Sequence, residues 1–164
     1  MARPEEQPPW LAVGLSLVLA ILLQVYPLSG AAAYWRPDFL FLVMFYWLRQ
    51  YPFNLGLGFA WMVGLVGDVA YGDIVGRTAL AFCLSAYLLH LLQQRILNYR
   101  TLHEVWLLVP LLVISQTIVL TVNVILGRGV IWSALFFTAL TSALVWPVLK
   151  IVLSRLFPAR RVPA

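Results

Sequence analysis

Charge is scarce in this sequence. Asp, Glu, Lys and Arg make up only 10% of the 164 residues, whereas 63% are hydrophobic. A typical soluble domain is about a quarter charged, because polar side chains must cover its water-facing surface. This composition therefore excludes an ordinary soluble globule. Long apolar runs of this kind indicate an all-α integral membrane protein, since a helix satisfies its own backbone hydrogen bonds within lipid.

Cysteine and histidine are nearly absent. The single cysteine, Cys83, excludes a disulfide framework and a thiolate metal cluster. The two histidines, His90 and His103, have no cysteine or carboxylate at metal-ligand spacing. Zinc-protease and nucleophile-elbow motifs are missing, and no acids are paired on predicted facing helices. We therefore expect no catalytic, cofactor-binding or metal-binding residues, and no enzyme activity.

Acidic residues are outnumbered by basic ones, which gives a formal net charge of +5. The Lys and Arg residues lie between the hydrophobic segments rather than on one face, so nucleic-acid binding is not expected. In a membrane protein such residues set the topology and contact anionic lipid headgroups.

The hydrophobic runs predict six membrane spans within a single transmembrane domain, residues 1–164. Breaks rich in Pro, Gly or charge separate the runs, and crossing the hydrocarbon core takes about 20 apolar residues. The predicted spans are residues 10–26, 36–50, 54–72, 77–94, 105–126 and 130–157.

The basic residues favour a cytoplasmic C-terminus. In the six-span topology eight of the 11 Lys and Arg residues fall on one side, and the N-terminus is then cytoplasmic as well. A five-span topology, with a re-entrant second segment, gives the same ratio and moves only the N-terminus. We favour six spans, with Trp35 and Trp47 as interface anchors, because a re-entrant loop needs surrounding protein and a chain this small has little to spare.

Small residues form a ridge along the third span. Reading every fourth residue gives Gly56, Ala60, Gly64, Asp68 and Gly72, which lie on one side of a helix. Membrane helices associate where small residues allow close approach. The ridge predicts a tightly packed face, either against another span of this chain or against a partner protein.

Asp68 is the one carboxylate inside this apolar run. At membrane depth it should be partnered, because an unpaired charge costs on the order of 3 kcal/mol or more. Three interpretations remain open: capping of the 72–77 turn or pairing with Arg77, carriage of a proton or ion, and contact with a partner protein. The first is favoured, since transport proteins show several deep acids.

Three stretches together resemble the rod shape-determining protein MreD family. They are WRPDFLFLVMFYW (Trp35–Trp47), the pattern Gly64-x3-Asp68-x3-Gly72-x3-Gly76-x2-Ala79-Leu80, and ALVWPVL (Ala143–Leu149). The resemblance covers nearly the whole chain. The family is also similar to the six-helix substrate-binding subunits of energy-coupling-factor transporters, which implies a small six-helix bundle.

The resemblance implies a non-catalytic scaffold of the cell-wall elongation machinery in the bacterial inner membrane. The implied partners are MreC, the glycosyltransferase RodA with its class B penicillin-binding protein, and the MreB filament, directly or indirectly. An alternative function is a vitamin-binding transporter subunit. That function needs a cavity open to the outer face, lined by groups such as Trp61, Gln116 and Asn123.

The resemblance and the charge pattern define the candidate structural or partner-binding residues. They are Arg36, Pro37, Asp38, Gly64, Asp68, Gly72, Gly76, Arg77, Trp146 and Pro147. We hypothesise that Asp68 or Asp73 pairs with Arg36 or Arg77 at the outer interface. Such a pair would lock the outer ends of spans two to four and shape a rigid docking surface for a partner's single transmembrane helix.

Overall fold

The computed structural model describes residues 8–26, 35–52, 54–95, 103–127 and 132–157. Within these ranges the chain forms helices and no strand. The six helices are α1 (Trp10–Val25), α2 (Phe39–Gln50), α3 (Leu57–Tyr71), α4 (Arg77–Arg95), α5 (His103–Ile125) and α6 (Trp132–Leu156). Each coincides with one predicted segment to within a helical turn, so the all-α class and the order of the helices are confirmed.

Two of the helices contain stretches long and apolar enough to cross a membrane, Val105–Ile125 in α5 and Phe136–Leu156 in α6. The other four are apolar but shorter. Within the described part of the chain, these two stretches alone qualify as spans by helix length and hydropathy. That all six helices cross the bilayer stays a prediction.

Helix α2 is the centre of the bundle. Every residue from Leu40 to Leu48 is buried, although the segment is only 12 residues long. Its Phe41 and Phe45 rings make edge-on contacts with Phe82 of α4 and Trp146 of α6. The premise that so small a chain cannot surround its second segment was therefore wrong, because the other helices enclose α2 on all sides.

Trp47 is not an interface anchor. Its side chain is 1% exposed, and its indole N–H donates a hydrogen bond of 2.8 Å to the Ser16 hydroxyl on α1. An indole anchors at an interface only where one end meets water, and here the polar end finds a protein partner instead. Trp35, by contrast, is half exposed and lies against the Phe137 ring, with 4.6 Å between centroids.

Helix α2 begins deep inside the bundle. The bundle end where α1, α3 and α5 finish and α2, α4 and α6 start is called the outer end here, after the predicted topology. At the start of α2, the Asp38 backbone N–H donates to Ser142 Oγ and the Asp38 carboxylate accepts from Gln116. Both partners lie about 14–15 Å from the outer ends of their helices at 1.5 Å per residue. Asp38 is therefore partly buried, about two fifths of the way along α5 and α6 from the outer end.

The small-residue ridge of α3 faces α4. A Cβ added at Gly64 would lie 2.4 Å from the Cα of Ala79, which is closer than real Cβ atoms come to backbone. Ala60 is fully buried, while Trp61 and Val69, beside the ridge, are 47% and 69% exposed. Of the two expectations for the ridge, packing against another span of this chain is the one observed at Gly64.

Candidate functional site

Asp68 caps the N-terminus of α4 from the neighbouring helix. Its carboxylate accepts hydrogen bonds from the backbone N–H groups of Gly76 (2.8 Å), Thr78 (2.9 Å) and, more weakly, Ala79 (3.4 Å). The first N–H groups of a helix have no partner within it and carry the positive end of its dipole. The fully buried carboxylate is thereby satisfied without a basic side chain. Of the interpretations of Asp68 given above, the structure shows capping.

The turn between α3 and α4 explains two further glycines. Gly72 has φ +64°. Around it, the Asp73 N–H donates to the Asp68 carbonyl and the Gly72 N–H to the Val69 carbonyl, a Schellman ending. Gly76, with φ +104°, leads into α4 and donates to Asp68. Both need the left-handed region that only glycine enters at little cost.

Arg77 pairs with Asp73, one helical turn before it, rather than with Asp68. Its guanidinium also donates a 2.9 Å hydrogen bond to the side-chain oxygen of Asn123 on α5. The Asp68–Arg77 pairing in our hypothesis was wrong, because the α4 N-terminus already occupies the Asp68 carboxylate. The Asp73–Arg77 alternative is present, and with Asn123 it connects the α3–α4 turn to α5.

Asp38 caps the sunken N-terminus of α2. One carboxylate oxygen accepts from the Phe41 N–H at 3.1 Å, and the other from the Gln116 amide at 3.0 Å. Gln24 of α1 accepts from the Phe39 N–H at 3.2 Å. Side chains from α1 and α6 therefore satisfy backbone groups that lipid could not, and Gln116 of α5 holds the Asp38 carboxylate.

Arg36 caps the C-terminus of α1. Its guanidinium donates hydrogen bonds to the carbonyl oxygens of Leu23 (2.8 Å) and Tyr26, which are left over where the helix ends. A cation there also complements the negative end of the helix dipole. Pro37 follows in the non-helical stretch that leads down to Asp38.

Trp146 packs α6 against α2. The indole is 2% exposed and meets the Phe45 ring edge-on, with 5.0 Å between centroids. Its neighbour Pro147 lies inside α6 with its side chain on the exposed side. In the Trp-Pro pair, the tryptophan therefore contributes to the core and the proline faces outwards.

Comparison with known protein families identifies the family of this sequence. The family model of the rod shape-determining protein MreD matches residues 6–158. The chain belongs to the MreD family. The MreD protein of Haemophilus influenzae is 25% identical over 139 residues, which cover 84% of this chain and 85% of that protein. No solved structure matches the chain, so the likeness to energy-coupling-factor subunits stays a prediction.

The central pattern of this MreD chain is one helical hairpin. Gly64 allows close approach to Ala79, Asp68 caps α4, and Gly72 and Gly76 make the turn. Every residue of the pattern except the exposed Leu80 therefore has a structural role within α3, α4 and the turn between them.

Several partners of these residues were missed from the sequence. Ser142 and Gln24 bond the α2 N-terminus, and Ser16 receives the Trp47 indole. Serine and glutamine residues within apolar runs could have indicated such hydrogen bonds. The sequence does not show which segments they join, because the partners are far apart along the chain, 104 residues for Asp38 and Ser142. Of the polar residues of α5, Gln116 and Asn123 bond across helices, whereas Thr117 and Thr121 bond carbonyls of their own helix.

The residues proposed for a vitamin cavity do not come together. Trp61 faces outwards on α3, Gln116 is bonded to Asp38, and Asn123 is bonded to Arg77. Among the described residues, no group of His, Cys, Asp and Glu is arranged to hold a metal ion.

Proposed function

We propose that this MreD family member is a non-catalytic membrane scaffold of the machinery that elongates the bacterial cell wall, and that it supports rod shape by binding MreC and the peptidoglycan synthase complex. The observation that carries this proposal is that the polar side chains of the site form hydrogen bonds within the chain. Asp38, Asp68 and Arg36 bind helix ends of the chain itself. Groups held in this way give a rigid shape.

The outer ends of α2, α3 and α4 would be the rigid part of the scaffold. Asp68 and the Asp73–Arg77–Asn123 contact join α3, α4 and α5, while Asp38 joins α2 to α5 and α6. We propose that the single transmembrane helix of MreC docks on the outward face of α3. RodA with its class B penicillin-binding protein and, directly or indirectly, MreB complete the assembly.

Cysteine crosslinking in membranes tests this arrangement. In a Cys83→Ala background, Trp61→Cys and Val69→Cys place thiols on the outward face of α3, and Ala60→Cys places one on the buried ridge as the matched control. With a cysteine at successive positions of the MreC helix, we expect disulfides from residues 61 and 69 and none from residue 60. Crosslinks from residue 60 alone would overturn the docking face.

Complementation tests the function itself. A rod-shaped strain depleted of its own MreD should regain rod shape when this chain is expressed, and tagged protein should recover MreC and RodA from detergent extracts. If the purified protein instead carries a tightly bound vitamin and recovers neither partner, the scaffold function is wrong.

A further inference from the structure

The groove between α1 and α3 changes from apolar to polar towards the outer end. Its deeper part is an apolar cleft of about 160 Å³. The walls are Leu17 and Ile21 of α1 and Met62 and Val66 of α3, and Leu40 of α2 contributes to the lining. One turn further along both helices lies a second cavity of about 330 Å³ with a mostly polar lining.

The outer cavity contains two side chains with unused hydrogen-bonding atoms, and one of the two is a cation. Its lining includes Gln24, Arg36, Tyr71 and Asp73. Asp73 is already paired with Arg77, whereas no described carboxylate lies within ion-pair distance of Arg36. The Arg36 Nε and the Tyr71 hydroxyl are buried without a hydrogen-bond partner. Such groups are rare in native proteins, because burial removes a polar atom from water without replacing the lost hydrogen bond.

We propose that this groove binds one phospholipid with an anionic headgroup, its phosphate at Arg36 and one acyl chain in the apolar cleft. A guanidinium binds phosphate oxygens through charge-assisted hydrogen bonds, and an acyl chain in an apolar cleft is held by burial of its CH₂ groups. The polar and apolar parts follow each other along the helices in the order of headgroup and chain. The outer ends of α1 and α3 place the headgroup at the membrane interface.

Charge and shape together decide the occupant. A free anion would use Arg36 but leave the apolar cleft unfilled. A neutral transmembrane helix would fill the cleft but leave the Arg36 Nε and the Tyr71 hydroxyl without an acceptor. An anionic lipid satisfies both parts of the groove.

Native mass spectrometry of the full chain tests the proposal. Delipidated protein in detergent is titrated with phosphatidylglycerol or, at the same concentrations, with phosphatidylcholine. We expect one phosphatidylglycerol to bind per chain, about tenfold more tightly than phosphatidylcholine, the ratio that corresponds to about 1.4 kcal/mol. Inorganic phosphate at millimolar concentration should not displace it; displacement by phosphate would show a free-anion site and overturn the proposal.

Two variants separate headgroup from chain. Arg36→Gln should weaken phosphatidylglycerol binding about tenfold, whereas Arg155→Gln, the same change at the opposite end of the bundle, should not; Arg36→Lys should restore most of the loss. Val66→Trp fills the apolar cleft and should reduce binding of either lipid. Val69→Trp is its control, because Val69 is 69% exposed and does not line the cleft.

Arg36 also caps α1, so its replacement can destabilise the fold. The Val66→Trp variant keeps the test decisive, since Val66 is half exposed and substitution there leaves the core unchanged. Lipid binding that is equal in Val66→Trp and Val69→Trp overturns the proposal. So does loss of MreC recovery in Val66→Trp with lipid binding unchanged, which would make the groove a protein-docking surface.

Discussion

Gly64 lies against the backbone of Ala79, so closely that a Cβ at residue 64 would be 2.4 Å from the Ala79 Cα. This contact sets the distance between α3 and α4 where Asp68 reaches across to the start of α4. The glycine and the aspartate therefore depend on each other. The carboxylate caps the neighbouring helix only because the helices approach closely one turn earlier.

Replacing Gly64 should destabilise the protein. Gly64→Ala adds a methyl group against backbone that cannot move aside, and such overpacking costs about 1–3 kcal/mol. Gly58→Ala is the control, because nothing lies within 4 Å of a Cβ there. Alanine at a helical position gains about 1 kcal/mol over glycine. Unfolding in mixed detergent micelles measures both; equal stability of the two variants would contradict the contact.

Asp68→Asn should lower stability by about 1–2 kcal/mol. The amide keeps one acceptor oxygen but turns an NH₂ group towards backbone donors, so the cap of α4 is partly lost. Amide hydrogen exchange of Gly76 and Thr78, the donors of the two shorter bonds, should accelerate in the variant. Exchange that stays unchanged there would show that the cap does not protect the start of α4.

Charge reversal should distinguish the two aspartates. Arg77 pairs with Asp73 and not with Asp68. Asp73→Arg combined with Arg77→Asp should therefore recover stability relative to either single change. The combination of Asp68→Arg with Arg77→Asp should be no better than its single variants, because it removes the α4 cap. Rescue by the second combination would restore the Asp68–Arg77 pairing that the structure excludes.

Trp47→Phe should cost about 1 kcal/mol or more, because the Ser16 hydroxyl loses its donor inside the bundle. Trp61→Phe makes the same chemical change on the outward face of α3 and should have almost no effect. Thermal unfolding in detergent compares the two. If Trp61→Phe were the more destabilising variant, the assignment of Trp47 to the core would be wrong.

Ser142→Ala should destabilise the start of α2 by about 1–3 kcal/mol, since the Asp38 N–H is left without an acceptor deep in the bundle. Ser154→Ala, near the end of the same helix, removes an exposed hydroxyl bonded to its own helix and is the control. Proteolysis within the 35–38 stretch, measured in membranes, should increase only for Ser142→Ala.

Local chemistry made the helices and the hairpin predictable. Apolar runs define α1 to α6 to within a turn, and the spacing Gly64–Asp68–Gly72–Gly76 follows from one close approach, one cap and two left-handed turn residues. The contacts between segments that are distant in sequence were not predictable. Trp47 has the flanks expected of an interface residue, and only the position of α1 beside it turns it into a core residue.

Helix α2 also constrains the order in which the protein is built. At about 18 Å it is far shorter than the roughly 30 Å of a hydrocarbon core, so it cannot partition into a bilayer by its own hydrophobicity. Two of the residues that cover it, Ser142 and Trp146, belong to α6 and follow α2 by about a hundred residues. The core of the bundle therefore closes only after α6 has been made, and until then the polar start of α2 lacks its Ser142 partner.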